Sequence, residues 1–204
     1  MPSKIEKLLQ KIIRFCIFAA LAGPIVTSTA LLMPFIAPGT FWFQFFVELA
    51  TLCFLILIIL KPTYLPRLNR ITIIFSLFFI IQILLVFFSV EPLRSFMGSA
   101  ERMDGIWNLF HYYLFIIIAL SLGQQEKQVK NLVVFSLIVS VLVSLRYILF
   151  NVGFKLDYFT FSFGNPGFFA NYILLHIPLA VWIFATSNNR EQKIVLLLLI
   201  LMHS

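Results

Sequence analysis

A cluster of cations and carboxylates, Glu91-Pro92-Leu93-Arg94-Ser95-Phe96-Met97-Gly98-Ser99-Ala100-Glu101-Arg102-Met103-Asp104-Gly105, interrupts two long runs that carry almost no charge. Five of its fifteen residues are ionisable: Glu91, Arg94, Glu101, Arg102 and Asp104. A guanidinium at the mouth of a helix bundle can hold a diphosphate through paired, charge-assisted hydrogen bonds. Beside a low-dielectric membrane that attraction is less screened than in bulk water. The competing role for Arg102 is local: it pairs with Glu101 or Asp104 and fixes the loop. Gly98 and Gly105 suit a tight turn and the start of a helix.

A second turn, Gly164-Asn165-Pro166-Gly167, leads into an apolar run, with Asn165 placed as an N-cap and Pro166 in the first helical turn. The free N–H groups and positive dipole end there form either an anion site or a plain helix cap. Two charged residues fall inside apolar runs, Glu48 and Arg146. A charge at the centre of a membrane helix costs about 2.5–3.5 kcal/mol, so each should face the bundle or snorkel. Arg146 lies about a turn from its helix end and can snorkel; Glu48 is either neutral or paired with Arg146. His111 and His176 are expected as helix-packing hydrogen-bonders, with a functional role as the alternative. No metal-ligand spacing, phosphate loop, hydrolase nucleophile or redox pair is present. Cys16 and Cys53 both sit in apolar runs and read as small core residues.

The elements that must position these residues are membrane helices. The 204 residues are 61% hydrophobic and 11% charged, with mean hydropathy +1.02, against about 45–50% apolar content in a soluble domain. The net charge of +7 is therefore read by location, and a nucleic-acid partner is excluded. Lys4, Lys7, Lys11 and Arg14 recur at helical spacing opposite Ile5, Leu8, Leu9 and Ile12, which predicts an interfacial amphipathic helix over residues 1–14. Residues 15–204 are predicted as a transmembrane domain, an all-α polytopic helix bundle. Its spans are a first, bent at Gly23-Pro24 and reaching Phe35, then 41–60, 71–90, 106–122, 132–150 and 168–186. Ile194 to Met202 covers only ~14 Å at the α-helical rise, so six complete spans and a truncated seventh are expected, with a re-entrant stub as the alternative. Alternate loops carry eleven cations on one side and three (Arg94, Arg102, Lys155) on the other. The positive-inside rule makes the eleven cytoplasmic, with the amino terminus inside and the Arg102 and Asn165 loops outside.

Arg94-Ser95-Phe96, Glu101-Arg102-Met103-Asp104-Gly105 at the start of a span, and Gly164-Asn165-Pro166 followed by Phe169-Ala170-Asn171-Tyr172 and Leu174-Leu175-His176-Ile177-Pro178-Leu179-Ala180 together resemble the O-antigen ligase and O-antigen polymerase family. The resemblance covers nearly all of the chain. It implies the amino-terminal portion of a GT-C-like membrane glycosyltransferase of the bacterial cytoplasmic membrane. Such an enzyme moves glycan from an undecaprenyl-diphosphate carrier to lipid A-core, another glycan or a protein, without a metal or other cofactor. Carried over by position, Arg102 contacts the carrier diphosphate, Arg94 assists, Glu101 and Asp104 flank them, and Asn165 shapes the cavity. Catalytic residues are expected beyond Ser204. The competing classes are a transporter or flippase of polysaccharide precursors, hinted at by Glu48 and Pro178, and a membrane scaffold with no chemistry.

Overall fold

The computed structural model describes residues 3–28, 30–31, 33–66, 69–99, 102–122, 126–151, 163 and 165–186. Glu101, most of the loop from 151 to 165 and the apolar stretch from 194 to 202 lie outside the described residues. The described chain is helical, without a strand: α1 (Lys4–Leu21), α2 (Ala37–Leu60), α3 (Arg70–Phe87), α4 (Pro92–Met97), α5 (Ile106–Leu122), α6 (Glu126–Asn151) and α7 (Pro166–Thr186). Four of these, α2, α3, α6 and α7, are long and apolar enough to cross a membrane, and α5 is a shorter apolar helix. Their exposed surface is made of large apolar side chains such as Phe45, Ile59, Ile74, Phe78, Leu84, Leu174 and Leu175, while Gln44, Asn108, His111, Ser140, Ser144 and His176 are buried. Apolar outside and polar inside is the arrangement hydrocarbon favours, and this is a multi-pass membrane protein.

The chain folds as two units, Met1–Gly23 with Thr40–Gln124, and Pro24–Gly39 with Gln125–Ser204. In the first, Ser3 and Glu6 close a capping box at the start of α1, and Leu9, Ile13, Cys16, Ile17 and Ala20 form its buried stripe. α1 is one unbroken helix through residues 14 and 15, so the interfacial segment and the first apolar turns are continuous. The expected first span to Phe35 is not formed: the helix ends at Leu21, and Gly23–Ile25 is a 3-10 turn. Pro24 supplies no donor to a continuing helix. α1 and α2 form an antiparallel pair, tied by Trp42 Nε1 donating to Ala19 O (2.7 Å) at one end and by Lys61 near Glu6 (3.6 Å) at the other. Pro38 sits in the first turn of α2, where its missing N–H costs nothing. α3 meets α5 through Phe79 stacked on Tyr113 (4.8 Å, 7°) and the Ser76–Tyr113 hydroxyl bond (2.9 Å).

In the second unit, Leu137 of α6 packs with Ala180 and Ile183 of α7. Ser140 and Ser144 fold their hydroxyls back onto the carbonyls of Leu137 and Ser140, which leaves a small-residue face for close helix approach. Arg146 donates to Ile25 O (2.8 Å) and Thr27 Oγ1 (2.6 Å). A guanidinium thus meets one backbone carbonyl and one hydroxyl just past the Pro24 break.

Candidate functional site

The charged loop is built on a backbone crossing. α4 ends at Gly98, whose φ of +84° and ψ of 177° belong to a region almost reserved for glycine. There Gly98 passes directly against Gly105: a Cβ on Gly98 would lie 2.5 Å from Gly105 N and 2.6 Å from Asp104 N. A Cβ on Gly105 would in turn meet the backbone of Phe96, Met97 and Gly98. The loop between the two glycines is closed from inside by Ser99. Its carbonyl accepts from Met103 N (2.8 Å), its hydroxyl from Arg102 N (3.2 Å), and its N–H donates to Asp104 Oδ1 (3.2 Å). Met103 turns the chain with φ of +50°.

This knot holds Arg102 and Asp104 at the rim of a cavity of about 480 Å³, lined also by Gln82 and Ser89, by Ser95 of α4, and by Asn108 and Tyr112 of α5. Arg102 does not pair with Asp104, and Glu101, the other partner expected for a local role, lies outside the described residues. Asp104 accepts from the Ser99 backbone, and the Arg102 guanidinium makes no hydrogen bond or ion pair with a described residue. A cation without a described protein partner, at a cavity with hydroxyl and amide groups on its wall, is suited to an anionic, oxygen-rich ligand. Among the described residues no three His, Cys, Asp or Glu side chains come together as a metal site.

The other predicted site residues divide. Arg94 does not line the cavity: it is exposed and paired with Glu91 at 3.4 Å, one helical turn away. The residue of α4 that faces the cavity is Ser95, held by Ser89 (2.9 Å). Asn165 is a cap: its Oδ1 accepts from Gly167 N (2.7 Å), and its carbonyl from Phe169 N. It belongs to the second unit, whereas the cavity is formed in the first. Glu48 is found with His111 (3.0 Å), and the Arg146 guanidinium holds Ile25 and Thr27. His176 is a helix-packing residue, with Nδ1 donating to Tyr172 O (2.7 Å) and Nε2 accepting from Ser136 Oγ (2.9 Å).

Sequence reasoning passed over Gln82, Asn108 and Tyr112, and with them Gln44, whose amide donates to Asn108 Oδ1 (3.3 Å). A signal was available. Asn108, His111 and Tyr112 at spacings of three and four put three polar groups on one stripe of a span, and Gln82 is a lone amide in the apolar run of α3. No family model, curated protein or solved structure matches the chain.

Proposed function

We propose that this chain is the carrier-binding portion of a membrane glycosyltransferase of the O-antigen ligase or polymerase type. The loop cavity takes the diphosphate of an undecaprenyl-diphosphate-linked glycan at the outer face of a bacterial cytoplasmic membrane. The observation that carries this reading is the Arg102 guanidinium, without a described protein partner, at a cavity of about 480 Å³ whose wall is mixed, with Leu85, Val86, Ile106 and Leu109 beside its polar groups. A polyprenyl tail needs an apolar surface and its headgroup needs a cation, and the exposed apolar side chains of α3 next to Arg102 offer both within a few turns of helix. The GT-C-like bundle and a cytoplasmic amino terminus belong to this proposal. So does transfer to lipid A-core or another acceptor. Binding of a polyprenyl diphosphate to the chain in lipid nanodiscs, compared with the uncharged polyprenol and with Arg102→Ala, tests it.

A second reading, a transporter of polysaccharide precursors, is favoured by one observation, the Glu48–His111 pair at the middle of α2. Counterflow of a labelled precursor in proteoliposomes, abolished by Glu48→Gln, separates it from the first.

A further inference from the structure

Glu48 stands at the midpoint of the 24-residue helix α2, the costliest place for a charge in a membrane span. Its partner His111 is almost fully enclosed, with 1% of the side chain exposed against 55% for Glu48. The histidine's two nitrogens face groups of different kind. Nδ1 lies 2.8 Å from Trp107 O, and a backbone carbonyl only accepts, so Nδ1 carries a hydrogen. Nε2 lies 3.0 Å from Glu48 Oε1. In a neutral imidazole with Nδ1–H, Nε2 is a bare lone pair, and a carboxylate oxygen offers it nothing but another lone pair. The contact is a hydrogen bond only if one further proton lies between the two atoms.

We infer that Glu48 and His111 form a proton-binding site, which holds a single shared proton inside the membrane-spanning unit. With that proton the pair is neutral overall, either as carboxylic acid with imidazole or as carboxylate with imidazolium. Moving between these forms breaks the Oε1–H bond and makes an Nε2–H bond, with no other reactant. Losing the proton leaves an anion against a lone pair in hydrocarbon, and gaining a second leaves a net cation there, so both departures are opposed by the same solvent. His176 gives the internal contrast: its Nε2 accepts from a hydroxyl, needs no extra proton, and is satisfied as a neutral ring.

The pair continues from Glu48 into a short polar chain. The neighbour of Glu48 one turn along α2, Gln44, is buried and bonded to Asn108, and Asn108 donates to Tyr112 OH (3.3 Å). Asn108 and Tyr112 both line the loop cavity, so the proton site lies one helical turn beneath the cavity's polar wall. The ionisable neighbours on the packed elements are few. α5 itself supplies Tyr112 and Tyr113, the latter bonded to Ser76. α2 adds Cys53, α1 contributes buried Cys16 and exposed Arg14, and α3 has no ionisable side chain after Arg70. The inference depends on neither functional reading above.

The test uses the whole chain in lipid nanodiscs, titrated from about pH 4 to about pH 9, a window that spans the ordinary glutamate and histidine ranges. Two spectroscopic signatures are read: the infrared carbonyl band of a protonated carboxyl, and the nitrogen-15 resonances of the histidine ring, assigned by their loss in His111→Gln. At neutral pH the expected result is one proton in the pair. It appears either as a carboxyl band that vanishes in Glu48→Gln or as a His111 ring protonated on both nitrogens that becomes singly protonated in Glu48→Gln. Glu48→Gln keeps shape and a hydrogen bond to Nε2, and unchanged helicity by circular dichroism verifies its fold. The inference is overturned if neither signature is present, or if the His111 titration is the same with glutamate and glutamine at position 48.

Discussion

Replacing Gly98 by alanine attacks the crossing on which the cavity rim depends. The backbone at Gly98, φ +84° and ψ 177°, is one that a side-chain-bearing residue occupies at a cost of about 1–3 kcal/mol. The new methyl would lie 2.5 Å from Gly105 N and 2.6 Å from Asp104 N, so the two chain segments must part by about 1 Å to reach ordinary contact. Both obstacles are backbone and cannot swing aside; overpacking of that kind costs about 1–3 kcal/mol more. The two costs share one relief, opening of the loop, so about 3 kcal/mol in all is expected, equivalent to about a hundredfold in the open population. Trypsin cleavage after Arg102 reports that population. Gly98→Ala, and likewise Gly105→Ala, should raise the cleavage rate up to about a hundredfold with helix content unchanged. Gly167→Ala is the control, because its methyl would meet only Asn165 Oδ1 at 3.2 Å. Cleavage of Gly98→Ala at the wild-type rate would refute the crossing as the device that holds Arg102 in place.

Thr27→Val removes the hydroxyl that Arg146 reaches at 2.6 Å and should lower stability by about 1.5–3 kcal/mol, the range for a hydrogen bond to a charged group, as read by denaturant unfolding in detergent. At the start of α1 the Ser3 N–H bonded to Glu6 holds that carboxyl below the usual range; partial burial opposes this, and Lys61 reinforces it. A carboxyl depressed on folding stabilises the helix end above its unfolded pKa, and the benefit is lost as the pH falls through its lower folded value. Amide exchange at the first turn of α1 should therefore quicken at acid pH, and Glu6→Gln should remove that dependence.

The helices were legible because hydropathy and length carry them: 106–122 is observed with the predicted ends, α3 and α7 differ by at most three residues at an end, and α6 starts six residues early, at Glu126. The first span was misread because an apolar run says nothing of backbone satisfaction. Pro24 breaks the helix, and the Ile25 carbonyl beside it is met by Arg146, more than a hundred residues further along the chain. Arg102 and Asp104 were recognisable as charges that only a loop would tolerate. Their support was not, since the Gly98–Gly105 crossing depends on two segments meeting in space, and each glycine alone looks like an ordinary turn residue. Periodicity does not reveal which group Glu48 meets, and His111 enters only through the contact between α2 and α5.

Equilibrium binding of a polyprenyl diphosphate to the chain in nanodiscs reads the proposed hold of Arg102 on the diphosphate. Arg102 is exposed, so the lower end of the charged hydrogen-bond range applies, about 1.5 kcal/mol, or about tenfold in affinity. Arg102→Ala is expected to weaken binding of the diphosphate by about that factor, with the uncharged polyprenol unaffected. Equal binding of the diphosphate by wild type and Arg102→Ala would contradict it.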